Sequence, residues 1–179
     1  MGEADRSWLP VKASFRGESV HKLDTKGRLS IPAPFRRELE KGDPEWESGR
    51  PQRFILVYGH QDTSYLEGFS IESMARMERR IRKMDQFSVA RKLATYTYST
   101  CSTQMELDPT GRIVLPAELK QRIGATDEVR FLGELDTFRI TTPSVFDAAI
   151  AELRGLVVPG DAASDLYAAL GRIADEDDE

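Results

Sequence analysis

Leu23-Asp24-Thr25-Lys26-Gly27-Arg28-Leu29-Ser30-Ile31-Pro32-Ala33 returns 84 positions later as Leu107-Asp108-Pro109-Thr110-Gly111-Arg112-Ile113-Val114-Leu115-Pro116-Ala117. Leu, Asp, Gly, Arg, Pro and Ala recur in place, with aliphatics opposite aliphatics. Such a repeat governs the reading of the whole chain, because neither copy has to bury its apolar face alone. Each copy reads as a strand, a tight turn, a second strand and the start of a helix. Asp at the first turn position accepts a bond from the backbone two residues on, and Gly at the fourth takes positive φ. Asp24 to Gly27 is therefore expected to be a type I turn with a glycine bulge, closing a hairpin. Pro109 supports the same geometry in the second copy, since a type I turn wants the proline φ there. Pro32 and Pro116 fall where a helix opens, predicting short helices over 33–39 and 117–123, the second ended by Gly124.

A chain of 179 residues, 40% hydrophobic, holds one sizeable core or two small ones, and each repeat alone is near the lower limit of independent folding. A lone hairpin with a helix leaves an apolar face and a strand edge open, and the simplest cover is the other copy, related by a pseudo-two-fold axis. Along each strand alternate side chains share a face. His21, Leu23, Leu29 and Ile31 are expected to face inward, with Met105, Leu107, Ile113 and Leu115 as their counterparts. Arg28 and Ser30 face outward, as do Arg112 and Val114.

The remaining elements follow from periodicity. Residues 41–53 are polar and read as a loop; 54–58 and 66–70 read as strands. A helix over 71–84 carries an apolar stripe with Met74 and Ile81, and its methionines read as core. A second helix over 88–98 opens on a Ser88 cap and carries Val89, Leu93 and Tyr96 on one side. The second half repeats the order: strands over 128–132 and 137–141, then a helix capped by Thr142 and opened by Pro143. Residues 166–173 are a further short helix candidate. The organisation expected is an extension over 1–14, a first module over 15–70, a helical pair over 71–103, a second module over 104–153 and an acidic tail over 154–179.

The net charge of −5 conceals opposed ends. Residues 6 to 37 carry eight Lys or Arg against two acids, and residues 161 to 179 carry seven acids against one Arg. An acidic protein can still bind a polyanion if one face is basic, and the first turn lies inside the basic segment. Asp24 and Arg28 flank that turn. One reading is a local ion pair that stiffens the hairpin, worth at most ~1 kcal/mol when exposed. The other is that Asp24 orients Arg28, whose planar fork meets phosphate or the O6 and N7 edge of guanine. Both can hold, and Lys26 at the turn tip favours nucleic acid in the first copy. Thr110 replaces that lysine in the second, which is electrostatically weaker.

Other chemistry finds little support. There are no paired carboxylates with a local rationale, no metal-ligand cluster, no P-loop and no G-x-S-x-G, so no enzyme activity, cofactor, metal or small-molecule substrate is expected. The single cysteine, Cys101, excludes an intrachain disulfide and reads as a packed side chain in a reducing cytoplasm. No apolar run reaches about 18 residues, so no membrane span is expected, and no secretory signal is visible.

The two Asp-x-x-x-Arg hairpins in tandem, with Phe15-Arg16-Gly17 before the first and two helices between them, closely resemble the MraZ proteins, bacterial transcriptional regulators built of two AbrB-type modules. The resemblance runs from about Phe15 to Leu153. It implies an α+β fold in which two swapped-hairpin modules form a pseudo-two-fold β-barrel core with flanking helices. It also implies a homo-oligomeric ring that binds short G-containing direct repeats in double-stranded promoter DNA, ahead of the operon for division and cell-wall synthesis, in a cytoplasmic, nucleoid-associated setting. Repression is the expected effect. Recognition transfers to Asp24, Lys26 and Arg28, and to Asp108 and Arg112. On this reading Lys26, Arg16 or Lys22 position the hairpin on phosphates while Arg28 reads a base edge. AbrB-type barrels can also neutralise partner proteins, so an antitoxin-like protein-binding module is the alternative. Residues before Phe15, the polar insertion near Asp43 to Gln52, and Thr97 to Thr103 depart from the family pattern.

Overall fold

A computed structural model of the chain describes residues 13–61 and 64–156, together with Leu166 and Ala168. The N-terminal extension before Ala13, most of the expected 166–173 helix and the acidic end lie outside the described residues. The described elements run β1 (Glu18–Lys22), β2 (Arg28–Ser30), α1 (Ala33–Lys41), β3 (Arg53–Val57), β4 (Tyr65–Phe69), α2 (Ile71–Lys83) and α3 (Val89–Thr95), then a π-helical turn (Tyr96–Thr100). They continue with β5 (Ser102–Glu106), β6 (Arg112–Val114), α4 (Ala117–Arg122), β7 (Glu128–Glu134), β8 (Thr137–Thr141) and α5 (Pro143–Leu156). The fold is mixed α+β. The chain divides into two compact units, Met1–Pro143 and Ser144–Glu179.

In the first unit β1 with β7, β2 with β6, β3 with β5 and β4 with β8 pair between repeats, while β3 with β4 and β7 with β8 pair within them. The six-stranded antiparallel sheet has the order β1-β7-β8-β4-β3-β5, and β2 and β6 form a separate two-stranded ribbon. Exchanging the two repeats turns this order into its own reverse, which is the signature of a pseudo-two-fold relation. The axis can be placed twice. In the sheet it passes between Glu67 and Arg139, the central Cα partners of β4 and β8. In the ribbon it passes between Leu29 and Ile113, with Arg28 opposite Val114 and Ser30 opposite Arg112. Two equivalent hydrogen bonds flank it, Leu115 N to Gly27 O at 2.8 Å and Ile31 N to Gly111 O at 3.0 Å.

The expected hairpin is therefore reduced to its turn. β1 and β2 share one bridge, Leu23 with Leu29, after which β1 pairs with β7 and β2 with β6. The swap satisfies strand edges that a lone hairpin leaves open. β1 and β5 remain the sheet's two edges, and no ladder among the described residues closes the strands into a barrel.

Alternation along the strands sorts two cores. Phe54 and Leu56 of β3, Leu66 of β4, Val129 and Phe131 of β7, and Phe138 and Ile140 of β8 pack with Leu29, Ile31, Ile113 and Leu115 and with α1 and α4. Phe15, Phe35, Phe54, Phe131 and Phe138 interlock there with ring centroids 5.1 to 6.1 Å apart. Full burial of each such ring contributes roughly 1.5–3 kcal/mol. On the opposite face Ile55, Val57 and Phe69 meet Met74 and Met77 of α2, which are core as the periodicity predicts. β3 is apolar from Phe54 to Val57 because both its faces are covered there.

The helix ends obey local chemistry. Ser70 caps α2, accepting from Ser73 N, and Ser88 caps α3, accepting from Arg91 N. The helix expected over 88–98 widens into the π-helical turn after Thr95, and Cys101 N bonds Tyr96 O at 2.9 Å to end it. The apolar side of α3 is uncovered: Val89 is 80% exposed and Leu93 48%. The polar insertion is an ordered loop. The Arg53 guanidinium donates two bonds of 2.8 Å to Asp43, whose side chain is only 1% exposed. The second unit contains most of α5, which Pro143 opens as expected. No helix among the described residues is long and apolar enough to cross a membrane.

Candidate nucleic-acid interface

Both repeated turns close in the predicted way. Gly27 N bonds Asp24 O at 3.0 Å, Asp24 N bonds Arg28 O at 3.2 Å, and Gly27 has φ of +78°. This is a type I turn with a glycine bulge. In the second copy Gly111 N bonds Asp108 O at 2.9 Å, Asp108 N bonds Arg112 O at 2.7 Å, and Gly111 has φ of +78° as well.

Each aspartate then ties its arginine down. Asp24 Oδ1 accepts from Lys26 N at 2.9 Å and Arg28 N at 2.8 Å, and Asp24 Oδ2 accepts from Arg28 Nε at 2.6 Å. Asp108 repeats the scheme, with Oδ1 accepting from Thr110 N, Thr110 Oγ1 and Arg112 N, and Oδ2 from Arg112 Nε at 3.0 Å. The backbone N–H of Arg28 and then its guanidinium hold the Asp24 carboxyl below its ordinary range. For Asp108 the Thr110 hydroxyl leads, and the carboxyl lies far below that range. Both pairs are at least a third exposed, so they add little stability. What they do is order two partly exposed guanidinium groups through their Nε atoms.

The ribbon gathers the pairs on one surface. Leu29 and Ile113 point into the core, 0% and 2% exposed, so Arg28, Ser30, Arg112 and Val114 share the outer face. Arg28 and Arg112 come from opposite strands of one antiparallel ribbon.

The other expected residues are placed differently. Lys26 is exposed at the tip of the first turn, and Lys22 is exposed on β1. Arg16 sits beyond the opposite end of β1, next to the Phe15–Leu135 bridge, and lines a shallow cleft with Pro32, Pro34 and Phe35. One cation was not anticipated. Because Ile31 is bonded to Gly111, the first turn of α1 lies beside the second repeat's turn, and the Arg36 guanidinium rests against Gly111. A Cβ on Gly111 would sit 2.2 Å from Arg36 Nη1. Arg36 Nε is buried with no hydrogen-bond partner. Its sequence offset from Gly111 hides this contact, and only the reciprocal pairing of the repeats reveals it. Arg36 also lines a cleft of about 610 Å³ with Trp46, Arg50, Glu40, Glu106 and Pro109, between the insertion loop and the second turn.

Comparison with known proteins finds relatives over most of the chain. Residues 14–95 match the family described as "MraZ protein, putative antitoxin-like". A protein of Ruegeria pomeroyi named "Transcriptional regulator MraZ" is 42% identical over 133 residues, 74% of this chain and 80% of that protein. Its namesake in Cereibacter sphaeroides is 40% identical over 153 residues, 82% of this chain and 90% of the other. One from Azorhizobium caulinodans, with the same name, is 35% identical over 136 residues, 74% and 80% of the two chains. With both Asp-x-x-x-Arg turns intact and most of the chain aligned at this identity, the protein belongs to the MraZ family.

Proposed function

We propose that this chain is a sequence-specific, DNA-binding transcriptional regulator that reads the major groove with the β2–β6 ribbon. The observation that carries the reading is the pair Arg28 and Arg112 on one exposed face, each held by its own aspartate. A two-stranded ribbon fits the major groove, and an arginine with an outward fork pairs with the O6 and N7 of guanine. Lys26 and Lys22 lie close in sequence to the first turn and serve phosphate; Arg16, at the far end of β1, serves a different part of the backbone. The names carried by the relatives point the same way.

The finer reading follows the family resemblance. The targets are short G-containing direct repeats ahead of the division and cell-wall gene cluster, and binding represses. Modules over 15–70 and 104–153 form a swapped-hairpin barrel, and copies of the chain assemble into a ring. The uncovered apolar side of α3, with Val89 80% exposed, and Phe87 just before its cap, also 80% exposed, support association between copies. A ring presents several ribbons at fixed spacing, raising avidity by roughly 10² or more when adjacent repeats are engaged together.

Binding to a fragment with several G-containing repeats and to a scrambled fragment, over a salt series, tests this. Discrimination that collapses in Arg28→Ala with the fold intact is expected, since phosphate contacts alone produce a salt slope without preference. Equal weak binding to both fragments refutes it. The second reading, an antitoxin-like module for a partner protein, draws on the wording of the family description; stoichiometric copurification of such a partner, with no DNA preference, favours it.

A further inference from the structure

We infer that Arg36 is the phosphate-contacting cation of the second turn, supplied across the pseudo-two-fold axis by the first repeat; this rests on the DNA-binding reading above. The two turns share a backbone but differ in charge. The first carries Lys26 at its tip, whereas the second carries Thr110, whose hydroxyl is already committed to Asp108 Oδ1 at 2.7 Å. Arg112 is committed through Nε to Asp108 Oδ2 at 3.0 Å. With Arg112 assigned to a base edge, the second turn alone brings no cation to a backbone phosphate.

Arg36 fills that place. Its guanidinium lies against Gly111, within 2.7 Å of where a Cβ would stand, and the lack of a side chain there is what lets it approach. Arg28, Arg50, Arg53, Arg82, Arg112 and Arg139 are each tied to a carboxylate; Arg36 pairs with none among the described residues. A half-buried guanidinium that lines a cleft beside the turn, with no carboxylate to neutralise it, suits a phosphodiester oxygen. The acids in the same lining are mostly engaged: Asp108 by its turn, and Glu40 by Gln52 Nε2 at 2.6 Å. Glu106 is exposed there and opposes a second anion, so the contact is with one phosphate rather than a track. The second turn thus becomes electrostatically comparable to the first, with its charge borrowed from helix α1.

The test compares the full-length protein with Arg36→Gln, Arg36→Lys and Arg37→Gln, the last removing a neighbouring exposed charge. Affinity is measured for repeat-containing and scrambled duplex DNA between about 50 and 200 mM salt. Arg36→Gln is expected to weaken binding to both fragments by the same factor, about 3- to 10-fold, and to lower the salt slope by about 0.9 per engaged turn. Discrimination between fragments stays at the wild-type value. Arg36→Lys retains the slope, and Arg37→Gln leaves it unchanged. A wild-type slope in Arg36→Gln, or an equal loss in Arg37→Gln, overturns the inference while leaving the DNA-binding reading in place. So does an Arg36→Gln protein that binds DNA normally but loses a partner protein. Wild-type protein that shows no salt-dependent DNA binding overturns both.

Discussion

Leu29 and Ile113 hold the same position in the two repeats and are also each other's Cα partners. A residue that pairs with its own counterpart marks the pseudo-two-fold axis. Both are buried, at 0% and 2% exposure, in the core shared by ribbon, sheet and helices. Ile113→Ala and Leu29→Ala should each cost about 2–5 kcal/mol. Because they touch a common space, the double variant should cost measurably less or more than the two losses combined. Urea unfolding of the four proteins measures this, and strict additivity would argue against a shared site.

The turn glycines separate two kinds of constraint. Gly124 has φ of +66° with open space where a Cβ would go, so Gly124→Ala carries backbone strain alone, about 1 kcal/mol. Gly27 has positive φ and a would-be Cβ 2.5 Å from Leu115 O, an atom fixed by the interlocked ribbon. Gly27→Ala should therefore destabilise by more than Gly124→Ala, by on the order of 2 kcal/mol or above. Thermal melts of both variants decide the order.

Asp43 is the buried acid of the insertion, and the Arg53 guanidinium keeps its carboxyl below the usual range against the opposing effect of burial. Arg53→Met leaves that carboxylate buried and unpaired, a loss of roughly 3–5 kcal/mol at neutral pH. In the wild type the folded-state value is depressed. Its stabilising contribution is present above the unfolded value near ~3.9 and fades as pH falls through the lower folded value. In the variant burial raises the carboxyl instead, so protonation relieves the penalty. The stability gap between the two proteins should narrow from pH 7 towards pH 4; a gap that widens on acidification contradicts this assignment.

The depressed carboxyls of Asp24 and Asp108 place their titrations below those of free aspartate. Both turns stay ionised across neutral pH, and their contribution is lost only as pH falls through those low folded values. Carbon-detected NMR should show both side chains titrating below ~3.9. Asp24→Asn retains an oxygen for the turn N–H groups but removes the charge that clamps Arg28. It should leave the melting temperature nearly unchanged while reducing discrimination between repeat and scrambled DNA by about tenfold, within the ~1–3 kcal/mol carried by one bidentate base contact. Undiminished discrimination would mean that Arg28 needs no such orientation.

Whatever depends on neighbours along the chain was legible in the residues themselves. Asp24, Gly27 and Arg28 dictate a bulged type I turn because bonds and φ preferences within five residues decide it, and Pro109 repeats the instruction. Ser88, Pro32 and Pro143 mark helix starts for the same reason. Alternation placed Leu29 and Ile113 inside and Arg28 and Arg112 outside. The partner of each strand was not legible, because a backbone edge carries the same N–H and C=O groups whichever strand it meets. Only burial of both repeats together sends β1 to β7 and β2 to β6, leaving one bridge of the expected hairpin. Arg36 against Gly111 depends on that choice. The sequence by itself determined the two turns and the faces of their strands. The tertiary structure decided that both arginines share one ribbon and that a helix of one repeat attends the turn of the other, since those contacts exist only after the repeats interlock.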